Sequence, residues 1–281
     1  PQAGAHSSVG LMTINAGNVT VCGIYFNDTS YKSIRHDKRA DNMTYLQNYF
    51  NTGVHNAMAV EEAVDTWEGG TNLTLQSNYF NATRNSSFAQ DYGLAAFQYN
   101  GLYVRGNVFD GVFNHAVSLK WGVNNALIDG NVFRGCGQVC VEIGQTQDFT
   151  GSENNTGMNA TVSNNIIIGA YKTHPQARYN KGVLLRNQQN ITVTGNTFQG
   201  EFDTTIMADF MNRGGLERLA DRKLGVWNLK QSSIRIENNK FSNSKLNFTG
   251  RGTGAAYAPL DGQPVLARED DVEHHQAVFP A

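Results

Sequence analysis

One short phrase recurs along almost the whole chain and leaves few folds open: alternating apolar residues, a small or polar residue, Asn, any residue, then an aromatic or aliphatic one. It reads VTVCGIYFNDT at 19–29, MTYLQNYFNTG at 43–53, LTLQSNYFNAT at 73–83, LYVRGNVFDGV at 102–112, ALIDGNVFRGC at 126–136, ATVSNNIIIGA at 160–170, ITVTGNTFQGE at 191–201 and IRIENNKFSNS at 234–244. The aligned position holds Ile24, Asn48, Asn78, Asn107, Asn131, Asn165, Asn196 and Asn239, at spacings of 24 to 43 residues. Repeats of this period mark a solenoid, in which each unit buries its apolar face only against its neighbours.

Period-two alternation on either side of each Asn indicates two short strands meeting at a bend. We expect the Asn to take the left-handed conformation at that bend and to stack its amide on the next coil. The residues two positions on (Phe26, Phe50, Phe80, Phe109, Phe133, Ile167, Phe198 and Phe241) are expected to stack inside as the core. A third strand precedes the phrase in AMAVEE (57–62), LAAFQ (94–98), AVSLKW (116–121), VCVEIG (139–144), GVLLRN (182–187) and TIMAD (205–209). The fold class is therefore all-β, a right-handed single-stranded parallel β-helix solenoid of about eight coils, three short strands each. It should occupy residues 1–250, with an irregular C-terminal tail at 251–281 that packs loosely or caps the end.

The 32 Asn and 29 Gly among 281 residues, against 5 Pro, fit many tight turns. Inserted loops are expected near 30–42, 63–71, 84–92, 145–158, 171–180 and 210–231, the last with the apolar spacing of one short helix. No amphipathic capping segment precedes the first repeat, so the first coil should expose strand edges and core unless more chain or another subunit covers it.

Aligning the third strands by their inward residues puts Glu61, Lys120, Glu142, Arg186 and Asp209 at one outward position of successive coils, with Gln98 among them. At a strand spacing of about 4.8 Å, Lys120, Glu142 and Arg186 would act together on a single sugar. Lyase chemistry on a uronic-acid polymer needs a cation to neutralise the carboxylate and a base to remove the adjacent proton. Lys120 fits the base and Arg186 the neutraliser. A hydrolase needs two carboxylates about 5 to 9 Å apart, and Glu142 with Glu61 or Asp209 is the candidate pair. The alternative is a ladder of charges that compensate each other on a solvent-facing sheet.

His115 and His55 precede the strands bearing Lys120 and Glu61, where an imidazole can assist proton transfer. Trp121, Tyr99 and Phe97 offer stacking surfaces for sugar rings, or fill gaps between coils. His174, Tyr179 and Lys181 fall in the loop before Arg186.

AVSLKWGVNNALIDGN (116–131) and GVLLRNQQNITVTGN (182–196) resemble the Lys-bearing and Arg-bearing phrases of β-helical polysaccharide lyases of the chondroitinase-B and alginate-lyase type, within the pectate-lyase-like superfamily. The resemblance implies Lys120 as the base and Arg186 as its partner. In that family the two lie on neighbouring coils. Here the Glu142 coil lies between them, and Trp121 and Asn187 stand where the family has Ser and His.

A formal charge of -2 and a pI near 6.4 provide no basic field for nucleic acid. No apolar run approaches the roughly 18 residues that span a bilayer, so no membrane insertion is expected. The opening PQAGAHSSVG lacks the basic start and apolar stretch of a signal peptide, and a chain that begins at Pro1 reads as a processed or excised piece. No Cys or His cluster at ligand spacing and no DxDxDG loop is present, so no cofactor is expected, with calcium on scattered carboxylates left open.

Cys136 and Cys140 in CGQVC are spaced for a local disulfide if the chain is secreted, leaving Cys22 as a buried thiol; free core thiols are the alternative. Ten Asn-X-Ser/Thr sites occur. Four of them, Asn18, Asn72, Asn159 and Asn190, merely repeat the N-x-T before a strand. The other six, Asn27, Asn42, Asn81, Asn85, Asn154 and Asn247, are glycosylation candidates and point to a secreted or extracellular glycoprotein. Two functions are compatible with these features. One is a carbohydrate-active enzyme, a lyase or else a hydrolase or epimerase, with an acidic polysaccharide as partner. The other is a structural or adhesive β-helix of a fibre, filament or tail spike, with end-to-end or side-by-side self-association.

Overall fold

Three apolar-alternating segments per repeat must bury three inward rows, and they do so around one axis. In the computed structural model the described residues are 12–27, 33–36, 40–52, 58–60, 70–82, 90–97, 99–111, 113–120, 123–145, 158–169, 180–185, 189–208 and 234–242, with the short pieces 246–247, 256–257, 265–266 and 276–277. The first coil comprises β1 (Met12–Ile14), β2 (Thr20–Cys22) and β3 (Tyr25–Asn27), and the last comprises β22 (Thr204–Ala208), β23 (Ile234–Glu237) and β24 (Lys240–Ser242). Every third strand joins the same sheet, giving three eight-stranded parallel sheets, A, B and C. The chain is a parallel β-helix of eight coils.

The first two strands of sheet A, β1 and β4 (Ile34–His36), were not expected from the sequence, where 30–42 reads as a loop. Of the expected inserted loops, 63–69, 84–89, 146–157, 171–179 and 210–231, including the segment with helical spacing, lie outside the described residues.

The Asn of each repeat is placed as expected but for a different reason. The left-handed residue at the bend is the one before it: Gly23, Gln47, Ser77, Gly106, Gly130, Asn164, Gly195 and Asn238. The Asn itself points inward and is buried at all seven positions from Asn48 to Asn239. Its Oδ1 accepts two hydrogen bonds from the preceding coil, as when Asn78 N and Asn78 Nδ2 donate to Asn107 Oδ1 at 2.9 and 3.0 Å. Its Nδ2 donates to the next Oδ1 and to a carbonyl, as Asn107 Nδ2 does to Asn131 Oδ1 and Leu75 O, each at 3.0 Å. At interior rungs such as Asn107 both amide hydrogens and both lone pairs are used, so the buried amide keeps its hydrogen bonds. Beside it runs the aromatic stack, with ring centroids 4.8 Å apart for Phe26–Phe50, 4.6 Å for Phe50–Phe80, 4.5 Å for Phe80–Phe109 and 5.0 Å for Phe109–Phe133.

Ile14, Val21 and Phe26 of the first coil are buried, so the apolar end expected to be exposed is covered. At the other end the tail supplies two small antiparallel pairs, β25 (Leu246–Asn247) with β28 (Gln276–Ala277) and β26 (Ala256–Tyr257) with β27 (Val265–Leu266). β25 lies against β22 and β26 against β23, which caps sheets A and B.

Inside the second coil sits a polar chain. Tyr99 Oη donates to Ala40 O at 2.8 Å, so toward His36 Nδ1, 3.2 Å away, it can only accept. Nδ1 therefore carries the hydrogen, and Nε2 accepts from Tyr45 Oη. A second proton on this ring would meet the Tyr45 hydroxyl head-on, and burial lowers the His36 pKa to about 4. Burial first, and the nearby Tyr99 second, push the Tyr45 hydroxyl well above its ordinary range. Because the unfolded His36 takes up a proton near pH 6.5 and the folded one only near 4, stability present above pH 6.5 is lost as pH falls through this window. The loss should reach about 3 kcal/mol and level off below pH 4. Denaturant unfolding at pH 7 and pH 5 checks this, with His36→Leu expected to have the shallower dependence; equal slopes would refute the assignment.

Candidate functional site

Four strands of sheet A build the site: β10 (Gln90–Phe97), β13 (Phe113–Lys120), β16 (Val139–Gln145) and β19 (Lys181–Leu185). Each places two consecutive residues inward. Gly93 and Gly182 lie against the rings of Phe109 and Phe198, and Leu94, Ala116, Val117, Cys140, Val141 and Val183 belong to the core. The doubled inward step reverses the alternation and produces three outward rows. Tyr92, His115, Val139 and Lys181 are in register, then Ala95, Ser118, Glu142 and Leu184, then Phe97 and Lys120. Lys120 pairs with Gln145 across an irregularity, where Gly144 takes a positive φ of 85°.

Lys120 and Glu142 therefore do not share the single outward line expected from the sequence. Ser118 is the neighbour of Glu142, and Lys120 stands one row further on. Nor is this a solvent-facing wall: Ser118 and Glu142 are fully buried, Lys120 is 6% exposed and His115 9%.

The two rows nevertheless meet through their side chains. Glu142 Oε2 lies 2.6 Å from His115 Nδ1 and accepts a hydrogen bond from Ser118 Oγ at 2.9 Å. That distance makes the two a close ion-pair contact, although the ring nitrogen is not aligned for a hydrogen bond to the carboxylate. The His115 ring meets Tyr92 edge-on at 5.2 Å. Lys120 Nζ sits 3.9 Å above the centre of the same Tyr92 ring and 5.1 Å from that of Phe97. Both ring faces thus lie within cation–π reach of the Lys120 ammonium group.

His115, expected just before its strand, is on it, because β13 starts three residues earlier than the sequence reading placed it. Tyr92 and Ser118 were not singled out. The signal for Tyr92 is the recurrence of a bulky or polar residue directly before a small inward one, as in Tyr92–Gly93, His115–Ala116 and Lys181–Gly182. Phe97 faces outward beside Lys120, whereas Tyr99 is buried against His36 and offers no stacking surface. Lys181 begins β19 rather than lying in a loop. Glu61, Gln98, Trp121, Arg186, Asp209, His55, His174 and Tyr179 lie outside the described residues.

Cys136 and Cys140 are joined by a disulfide, with Cα atoms 5.1 Å apart, and close the turn into β16. Cys22 is exposed, not buried, because it takes an outward position on β2. Three of the six glycosylation candidates acquire a structural account. Asn42 has φ 55° and donates to Asn18 Oδ1 at 3.0 Å. Asn27 accepts from Asn51 at 2.9 Å, and Asn81 donates to Asn51 at 3.1 Å. These side chains are rungs of outer asparagine ladders, so the solenoid itself explains them. Asn247 is on β25, while Asn85 and Asn154 lie outside the described residues.

Among the described residues, no group of three or more His, Cys, Asp or Glu side chains is placed to hold a metal ion, and no helix is long and apolar enough to cross a membrane. Compared with protein-family models, curated proteins and solved structures, the chain matches none.

Proposed function

We propose that the chain is an extracellular carbohydrate-active β-helix that cleaves an acidic polysaccharide by elimination, using the outer face of sheet A. The observation that carries this reading is the His115–Glu142 contact beside Lys120. The coil ladders do not need these groups, and burying a charged pair outside the core is costly unless it has a use. Glu142 has no exposure, whereas His115 and Lys120 keep 9% and 6%. That gradient suits an orienting carboxylate behind two groups that meet substrate.

In the proposed reaction Lys120 neutralises the uronate carboxylate, which acidifies the neighbouring C–H. His115 Nε2 takes that proton, the electron pair forms the carbon–carbon double bond, and the bond to the glycosidic oxygen breaks. The leaving oxygen receives the proton back from the imidazolium. Glu142, 2.6 Å from Nδ1, stabilises the imidazolium while it lasts. The base is thus reassigned from Lys120 to His115. The Cys136–Cys140 disulfide supports an oxidising location.

Alginate, chondroitin sulfate, dermatan sulfate, pectate and hyaluronan are the substrates to test, followed by absorbance of the unsaturated product. His115→Ala and Lys120→Ala should each lower the rate about 100-fold or more. Silence across this panel, with no reducing ends released, would favour the second reading, a non-catalytic structural or adhesive β-helix. What supports that reading is the small exposure of the whole cluster, together with an Asn ladder that ties together all eight coils.

A further inference from the structure

The large hydrophobic side chains that remain exposed among the described residues, Ile24 at 38%, Tyr25 at 59% and Ile166 at 41%, all belong to the outside of sheet C or its edge. One outward row of that sheet reads Tyr25, Tyr49, Tyr79, Val108, Val132, Ile166, Thr197 and Lys240. The parallel row, two residues further along each strand, is polar except for Ile168 and has one opposite-charge step, from Asp110 on β12 (Val108–Gly111) to Arg134 on β15 (Val132–Arg134). These two strands are the fourth and fifth of eight, the exact middle of the sheet.

We infer that sheet C is a self-complementary face that pairs with a second copy of the chain. A two-fold axis parallel to the strands, passing between β12 and β15, reverses the coil order and keeps each row opposite itself. Val108 then meets Val132 of the second copy, and Tyr79 meets Ile166. Asp110 meets Arg134 on both sides of the axis, and Lys240 reaches the outermost ring, Tyr25. The central charges are accessible, with Asp110 and Arg134 side chains 25% and 50% exposed and 3.9 Å apart within one chain. Tyr79 Oη donates to Asp110 Oδ2 at 2.8 Å and holds the carboxylate in place. Burial and that bond push the Tyr79 hydroxyl up to about 12, so it stays a donor.

Seven strand steps of about 4.8 Å make the face roughly 34 Å long. With a width near 15 Å the pairing buries about 1,000 Å² in total, the low end for a specific interface. The dimer is therefore weak and concentration-dependent.

Sedimentation of the full chain from roughly 1 to 500 µM spans the range where such a face associates. The average mass should rise from 30.8 kDa toward twice that value. Asp110→Arg should keep the chain at 30.8 kDa throughout, and Asp110→Arg with Arg134→Asp should restore association. Should the loss of the Tyr79 bond unfold the first variant, Ile166→Lys, a substitution at an exposed site, must abolish association in a chain that melts like the parent. A parent chain that stays monomeric at every concentration overturns the inference and leaves the face to another partner. A dimer indifferent to both Asp110→Arg and Ile166→Lys overturns it equally.

Discussion

Replacing Asn107 by Ala is expected to remove about 4 to 6 kcal/mol of unfolding free energy, since each buried polar group left without a partner costs about 1–3 kcal/mol. The substitution takes the acceptor from two donors of the preceding coil, Asn78 N–H and one Asn78 Nδ2–H. It also takes the Nδ2 donor from Leu75 O. All of these lie within the solenoid, where Asn78 and Leu75 are 1% and 0% exposed. Domains are stable by only about 5–15 kcal/mol, so one missing rung threatens the whole fold. The control is Asn48→Ala. Asn48 Oδ1 serves a single donor, Ile24 N–H, at 3.0 Å, and Ile24 is 38% exposed, so water can replace the lost acceptor. The cost there should be about half as large. Denaturant titration of both variants decides the matter. Equal losses at the two positions would mean that the amide stabilises by packing, not by satisfying buried donors.

The same residues show what could be read from the sequence. The Asn was legible because it recurs, and its neighbours because alternation is a property of a single strand. Its role was misassigned by one position. The left-handed bend falls on the preceding residue, and at Gln47 and Ser77 the side chain gives no hint of it. The strands Met12–Ile14 and Ile34–His36 are three residues each, too short for a period to register. Their place in sheet A follows only once the neighbouring coils exist to pair with them.

The site was legible as a list of residues but not as an arrangement. Lys120, Glu142 and His115 were singled out, yet His115 was set apart from Glu142, its nearest charged group. The doubled inward step in the four sheet A strands of the site shifts which residues face outward, and the irregularity at Gly144 shifts them again between β13 and β16. Neither displacement is written in the period of one strand. The first arises where small residues such as Gly93 and Gly182 leave room for a phenylalanine ring of the core. The aromatic stack and the candidate site are thus coupled through the same bends.

That coupling makes the stack the second place where a single change should have a large effect. Phe109 is fully buried, 4.5 Å from the Phe80 ring and 5.0 Å from the Phe133 ring, at interplanar angles of 5° and 10°. Phe109→Ala should cost about 4 kcal/mol, from lost transfer energy and the cavity that remains. Two parallel-stacked ring pairs vanish with it, each contributing about 0.5–1.5 kcal/mol beyond area. The coil has little freedom to collapse into the void, because the Asn107 rung two residues away is tied to both neighbouring coils. Phe109→Ile should cost far less, about 1–2 kcal/mol. The chain itself contains the precedent: Ile167 occupies the same row, fully buried, between Phe133 and Phe198. Denaturation of the two variants separates volume from stacking. A small loss for Ile and a large one for Ala means that the row must be filled with apolar bulk, with the ring faces secondary. If Ile costs as much as Ala, the ring-on-ring contacts are what hold the coils in register, and Ile167 marks a weak joint between the fifth and seventh coils.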